Sequence, residues 1–296
     1  MVDEKMLLDK FSFIKIDEPL KFHCTFKIGG KAKIFAEPRT IDELLQITKY
    51  LNSSSQPYRI IGNGSNILFS DAGTSLAIIS TSKMKGVKQI DETSFEIVSG
   101  ESLSGVAFLL SKLGFTGLEF AVGIPGTVGG AVVMNAGAFG SDISKVIQSV
   151  TYLDGNFIRI DSVEDCRFGY RCSKFLTKKD IAIISVRLNL TIGNTLKILK
   201  DVNCNIEKRR ETQPLGRSAG SVFKRTETQP AGKLIDECGL KGKKIGGAII
   251  SNKHANFILN TNNATSKDVL DLIDFAKQKV KEKFNEQLEL EIEIIE

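Results

Sequence analysis

Apolar positions along this chain recur with two periods, and the changes from one to the other mark its elements. Ile41, Leu44, Leu45 and Leu51 fall on one helical face behind Thr40. The Thr40 hydroxyl takes an orphan amide of the first turn and Glu43 reaches back, a capping box. Ser102 opens a second helix with Leu103, Val106, Ala107, Leu110 and Leu113 inward, stopped by Gly114. Asn194 opens a third, which runs to about Arg210 and ends at Thr212-Gln213-Pro214. Thr265 and Asp268 cap a fourth with Val269, Leu272, Ile273, Ala276, Val280 and Phe284 on its buried face.

The other period is that of strands. Residues 25–30 read as a short strand ending in the Gly29-Gly30 pair, and Arg59-Ile60-Ile61 as a buried one. Ile67–Phe69, Leu76–Ile79, Phe95–Val98 and residues 181–190 are further strand candidates. Val150 to Ile160 forms a hairpin about Asp154-Gly155. Residues 288–294 alternate strictly, which predicts a half-buried strand with Glu289, Glu291 and Glu293 on one face. A domain boundary is expected near residues 190–200, and residues 1–22 show no clear period.

Two tracts break these patterns with glycine. Gly62-Asn63-Gly64-Ser65-Asn66 follows a strand and lets consecutive amides point inward, a nest suited to a diphosphate. It is not a Rossmann fingerprint, because Ile67 stands where the third glycine belongs. The second tract runs from Gly123 through Pro125, Gly126, Thr127 and Gly130 to Asn135, Ala136, Gly137 and Gly140. So many glycines cost folding entropy and imply close backbone approach, to a neighbouring helix or to a flat ligand. A third stretch, residues 218–224, flanks Ser221 with small residues and carries Lys224 three positions on. There is no G-x-S-x-G elbow, and His23 and His254 are the only histidines, so Ser221 fits a proton donor better than a hydrolytic nucleophile. Arg171, between Tyr170 and small polar residues, has a guanidinium suited to a carboxylate.

Composition narrows the class. Of 296 residues, 42% are hydrophobic and 25% charged, ordinary for a globular protein with a sizeable core. A net charge of +5 suits an anionic ligand, while the short basic clusters without interleaved aromatics argue against nucleic acid. Five cysteines with no C-x-x-C pair point to a reducing compartment and to neither a disulfide framework nor a metal site. Met1–Lys5 lacks a signal pattern and no apolar run reaches membrane-spanning length, so a cytoplasmic protein off the membrane is expected. Oligomeric state is not written in the sequence, and a monomer is the working expectation.

The motifs, taken together, resemble the UDP-N-acetylenolpyruvoylglucosamine reductases, flavin enzymes of bacterial cell-wall precursor synthesis. The likeness rests on Thr25–Gly30, Gly62–Asn66, Gly123–Gly126, Phe168–Arg171, Ala219–Lys224 and His254–Phe257, in the family's order over nearly the whole chain. It implies an α+β fold: an FAD-binding region of two subdomains over 25–190, of the vanillyl-alcohol-oxidase-like (PCMH) type, after an N-terminal segment 1–24. A C-terminal α+β substrate domain over 195–296 follows. The resemblance further implies non-covalent FAD held by the two glycine-rich tracts and reduced by NADPH, and a UDP-sugar enolpyruvate as substrate. By the same likeness Ser221 protonates the substrate carbon, Arg171 and Glu291 stabilise the enol intermediate, and Tyr170, Lys224, Arg225, His254 and Asn256 bind substrate. No large insertion lies between Arg171 and residue 190, so the chain resembles the shorter type.

Three positions depart from the family pattern. Arg225-Thr226 stands where Asn-Pro is usual, Thr212 where lysine is frequent, and Leu290 where proline usually precedes the glutamate. Two other readings compete. An FAD-linked oxidase of the same fold often tethers its flavin through a histidine, and neither glycine-rich tract contains one. A non-catalytic nucleotide-binding relative is suggested by Thr212 and Arg225, and opposed by the presence of Arg171, Ser221 and Glu291.

Overall fold

The computed structural model describes residues 4–296, so Met1–Asp3 of the expected N-terminal segment lie outside the described residues. The chain gathers into two units, each assembled from separated stretches. The first holds the residues up to Ile16, Ile34–Asn63 and Leu76–Arg209; the second holds Asp17–Lys33, Gly64–Ser75 and Arg210–Glu296. This differs from the consecutive pieces 1–24, 25–190 and 195–296 expected from sequence, for a packing reason. The helix expected after Asn194 buries Val202 in the core of the first unit, and its Arg209 Nε donates to Val122 O at 3.1 Å.

Helices α1 (Glu4–Lys10), α2 (Ile41–Ser53), α3 (Leu103–Lys112) and α4 (Val128–Met134) belong to the first unit, with α5 (Thr195–Thr212) running to its edge. Strands Tyr58–Ile61, Ala77–Ser80 and Lys31–Ala36 pair in parallel, and Leu44, Ile47 and Leu51 of α2 pack in the cluster that includes Ile34, Tyr58, Ala77 and Ile79. A second sheet is antiparallel, in the order Phe157–Ser162, Ile147–Asp154, Ala182–Asn189, Ser94–Val98, Val87–Gln89. A second cluster, with Leu103, Val106 and Leu110 of α3 and Val128 and Val132 of α4, packs against it. The central strand is apolar on both sides: Ala182 and Ile184 join the first cluster, Ile183, Val186 and Leu188 the second. Pairing slips there between Thr151–Ser185 and Tyr152–Ile183, and this bulge lets Ile183 and Val186 share a face despite their odd spacing.

Local chemistry explains most helix ends. Ser102 Oγ accepts from Gly105 N at 3.2 Å, and Gly114 follows α3 at φ 86°. Thr40 caps α2 through Glu43 N at 3.1 Å, but the Glu43 carboxylate takes the Arg39 amide, one residue earlier than a capping box requires. Ile41 and Leu113, expected inward, are exposed; Ile47 and Thr48 of α2 are buried.

The second unit contains α6 (Ala231–Glu237), α7 (Ser266–Phe284), a small sheet of Lys244–Ile245, Ala248–Ile250 and Ile258–Asn260, and a parallel pair of Ile67–Phe69 with Glu293–Ile295. The Thr265 capping box is complete: its hydroxyl accepts from Asp268 N at 3.1 Å and the Asp268 carboxylate from Thr265 N at 3.0 Å. Two strand expectations are corrected. Residues 25–30 form no strand, because their backbone is spent on loops: Leu20 N donates to Gly30 O and Gly30 N to Ser70 O. Residues 288–294 are not one strand either. Leu290 bridges Phe223, the chain bends at Glu291-Ile292, and only Glu293–Ile295 continues as strand on a different partner.

Candidate active site

The Gly62–Asn66 loop starts in the first unit with Gly62 and Asn63 and continues in the second with Gly64, Ser65 and Asn66. Its alternate carbonyls are each taken by the protein. Gly62 O accepts from Ser80 Oγ at 3.2 Å, Gly64 O from Thr25 N at 3.2 Å and Asn66 O from Glu293 N at 2.9 Å. A Cβ on Gly62 would overlap Thr127 Oγ1, so the two glycine-rich tracts meet in the first unit with no room for a side chain. Gly62 is thus required by the chain's own packing, while the small and polar residues of Gly62–Asn66 leave the loop backbone without bulky side chains, which suits the diphosphate of FAD.

The second tract divides by role. Thr127 caps α4, its hydroxyl accepting from Gly130 N at 3.2 Å, while Val128 N donates to Glu101 O and Gly129 N to Ser99 O. The first amides of α4 are thus consumed by the protein, and Gly130 is no free phosphate donor. A Cβ on Gly129 would stand 2.9 Å from Ser99 Cβ, and one on Gly137 would overlap Ser141 O, so these two glycines serve the chain's own packing. Gly123 (φ 82°) and Gly126 (φ 127°), on either side of Pro125, have backbone that glycine alone adopts easily. Ala136 is held by backbone bonds, its amide to Ala131 O and its carbonyl from Ile143 N.

Asn135 closes the same tract. Expected as a cofactor ligand, it is buried at the end of α4 with φ 44°. Its Nδ2 donates to Gly169 O at 2.9 Å and its Oδ1 accepts from Ser144 N at 3.2 Å. That braces the tight turn Gly169-Tyr170-Arg171-Cys172, closed by Gly169 N to Cys172 O at 2.9 Å. Arg171 sits in this turn at φ 49° and donates to Gly137 O at 2.8 Å, its guanidinium 5.2 Å from the ring centre of exposed Tyr170.

Ser221 lies in the second unit on a short ladder. Gly220 before it has φ 76° with no atom near its missing Cβ, so the need there is conformational, not steric. Ser221 bridges Phe257, and Val222 N donates to Asn256 O at 2.8 Å. On the other side Val222 O accepts from both Glu291 N at 2.8 Å and Ile292 N at 3.4 Å, which fixes the bend at Glu291. Asn66 Nδ2 donates to Glu291 O at 2.9 Å, so the glutamate's peptide is held at both ends. Ser221 and Glu291 are thereby brought onto neighbouring rungs; Arg171 belongs to the other unit.

The substrate candidates fare unevenly. Lys224 Nζ lies 3.5 Å from the Glu289 carboxylate and Arg225 follows on an exposed loop. His254 packs edge-on against Phe257, its Nδ1 accepting from Asn256 N at 3.2 Å; burial, helped by nearby Lys241, pushes its pKa below the usual histidine value. Asn256, also expected to bind substrate, has its side-chain amide engaged with the backbone of Phe223. The links Asn66–Glu291 and Asn256–Phe223 had no signal in the sequence, since the partners stand 225 and 33 positions apart. Among the described residues no cluster of His, Cys, Asp or Glu is arranged for a metal, and no helix is long and apolar enough to cross a membrane.

Comparison with known proteins bears on the same regions. Residues 32–156 match a family described as an FAD binding domain, and residues 211–295 the C-terminal domain of UDP-N-acetylenolpyruvoylglucosamine reductase. The reductase of that name from Caldanaerobacter subterraneus subsp. tengcongensis is 42% identical over 297 residues, covering 100% of this chain and 98% of the relative. That from Caldicellulosiruptor saccharolyticus is 46% identical over 287 residues, 96% of this chain and 92% of the relative. The crystal structure of UDP-N-acetylenolpyruvylglucosamine reductase from Thermus caldophilus aligns with a TM-score of 0.83 at 33% identity, over 96% of this chain and 100% of that one. With likeness running the full length of both sequence and fold, the chain belongs to the UDP-N-acetylenolpyruvoylglucosamine reductase family.

Proposed function

We propose that this chain reduces the enolpyruvyl group of UDP-N-acetylglucosamine enolpyruvate to UDP-N-acetylmuramate, with electrons from NADPH, as a cytoplasmic step of peptidoglycan precursor synthesis. Bound FAD supplies the two-electron carrier between NADPH and the vinyl carbon. The amides of Gly62–Asn66, with the backbone at Gly123, Gly126 and Thr127, would hold its diphosphate and approach it closely. Hydride arriving at the terminal vinyl carbon pushes an electron pair toward the carboxylate and leaves an enolate. Arg171, a fixed cation, answers the charge that develops on the carboxylate oxygens. Glu291 shares a rung with Val222 and acts on the same intermediate, and the Ser221 hydroxyl delivers the proton that completes the lactyl ether. Tyr170, Lys224, Arg225 and His254 remain candidates for contacts to the UDP-sugar.

The observation that carries this reading is the Val222 peptide, which ties the Ser221 segment to Glu291 through a 2.8 Å bond. Its test is to separate the two half-reactions in Ser221→Ala. NADPH should still bleach the flavin, because hydride transfer into FAD needs no proton from this hydroxyl. Product formation should fall by a factor on the order of 10² or more. Equal slowing of both half-reactions would leave Ser221 a shaping residue only.

A further inference from the structure

We infer that Asn256 is a positioning residue for the Ser221–Glu291 pair, its side chain acting as a substitute peptide in the ladder that carries them. The inference rests on the roles just proposed for Ser221 and Glu291. A strand segment is normally held by neighbouring backbone on each side. Along residues 221–224 one side is complete: Val222 O takes Glu291 N, and Lys224 N donates to Glu289 O at 2.9 Å. On the other side the backbone supplies the bridge of Ser221 to Phe257 and the bond from Val222 N to Asn256 O. Phe223 is then served by a side chain. Asn256 Oδ1 accepts from Phe223 N at 3.0 Å and Asn256 Nδ2 donates to Phe223 O at 2.8 Å. A carboxamide has the donor and acceptor geometry of a peptide, so one side chain closes both polar groups of one residue.

Asn256 is 7% exposed and Phe223 2% exposed, so water does not stand ready to replace either bond. Asn256 therefore reaches the pair twice. Its carbonyl fixes Val222, the residue that receives Glu291, and its side chain fixes the next residue in line. Loss of the side-chain clamp lets the 221–224 segment rotate about the remaining bonds, and the hydroxyl and carboxylate move relative to each other.

Asn256→Asp is the informative variant, because it keeps shape and acceptor and exchanges the donor for charge. An ionised carboxylate would face Phe223 O with no proton to offer, and burial would raise its pKa above the ordinary aspartate value of about 3.9. Acidification restores an O–H donor and with it both bonds. The experiment is stopped-flow on the FAD-loaded chain, measuring flavin reduction by NADPH and reoxidation by UDP-N-acetylglucosamine enolpyruvate between about pH 8 and about pH 5. Reoxidation in N256D should fall on the order of 10²-fold at neutral pH, the scale of a small misplacement, and recover relative to wild type as pH falls. Reduction by NADPH should be unchanged, and N256A should be slow with no acid recovery. Amide hydrogen exchange at Phe223, read without substrate, should quicken in N256A.

Wild-type reoxidation rates in both variants would overturn the inference. So would parallel loss of both half-reactions in N256D with no recovery in acid. If N256A does not fold, the isosteric N256D decides alone. If the wild-type flavin is not reoxidised by the enolpyruvyl substrate, the proposed reaction fails, and exchange at Phe223 still tests the clamp.

Discussion

Arg171 and Asn135 both occupy left-handed backbone, at φ 49° and 44°, and they tolerate it for different reasons. A short amide side chain bonds locally and makes this region accessible, as Asn135 does through Gly169 O and Ser144 N. The longer arginine side chain reaches out of its turn to Gly137 O, and a residue with a Cβ in this region costs about 1 kcal/mol. Strain of this kind collects where a side chain is needed at a fixed place. The variants Arg171→Gly and Arg171→Ala separate backbone from guanidinium. Both lose the bond to Gly137 O, but glycine also relaxes the turn. We expect R171G to be at least as stable as R171A in urea unfolding, with product formation lost in both. An R171G clearly less stable than R171A would show that the turn is not strained.

Elements were legible where the deciding contact is local. Thr40, Ser102 and Thr265 each bond an amide three residues on, and each marks its helix start in the structure as in the sequence; the short helix behind Thr127 was not expected. The same reading failed where long-range partners decide. Residues 288–294 alternate like one strand, but Leu290 pairs with Phe223 and Glu293 with Ile67, and the change of partner puts the bend at Glu291. The glycine-rich tracts were legible as sites of close approach; that Gly129 and Gly137 approach the chain's own backbone was not. At α7 the capping chemistry carries a further load, because the Asp268 carboxylate also takes Gly247 N at 3.0 Å. Its pKa is held low first by the Thr265 amide and next by Gly247. That contribution is present above the unfolded carboxylate range and is lost as pH falls through the lowered folded value. Thr265→Ala should cost about 1 kcal/mol in urea denaturation at neutral pH. A change within error would mean that tertiary packing of Val269, Leu272 and Ile273 alone sets the helix start.

For the whole molecule the family assignment carries FAD chemistry, and the mode of attachment is a separate question. Neither Gly62–Asn66 nor residues 123–140 contain histidine, and no cysteine lies in them. The chain should therefore purify yellow and release all its flavin to the supernatant on acid precipitation; flavin left on the pellet would contradict non-covalent binding. The discontinuous build of the two units also sets an order of events during synthesis. Ile67–Phe69 is buried in the second unit and its strand partner is Glu293–Ile295, some two hundred residues further along the chain. Contacts so distant in sequence form late, because the loop between them must close first. On the ribosome, an apolar strand made early waits unpaired until nearly the whole sequence printed here has emerged, so this segment is where a nascent chain is most exposed to mispairing and to capture by chaperones.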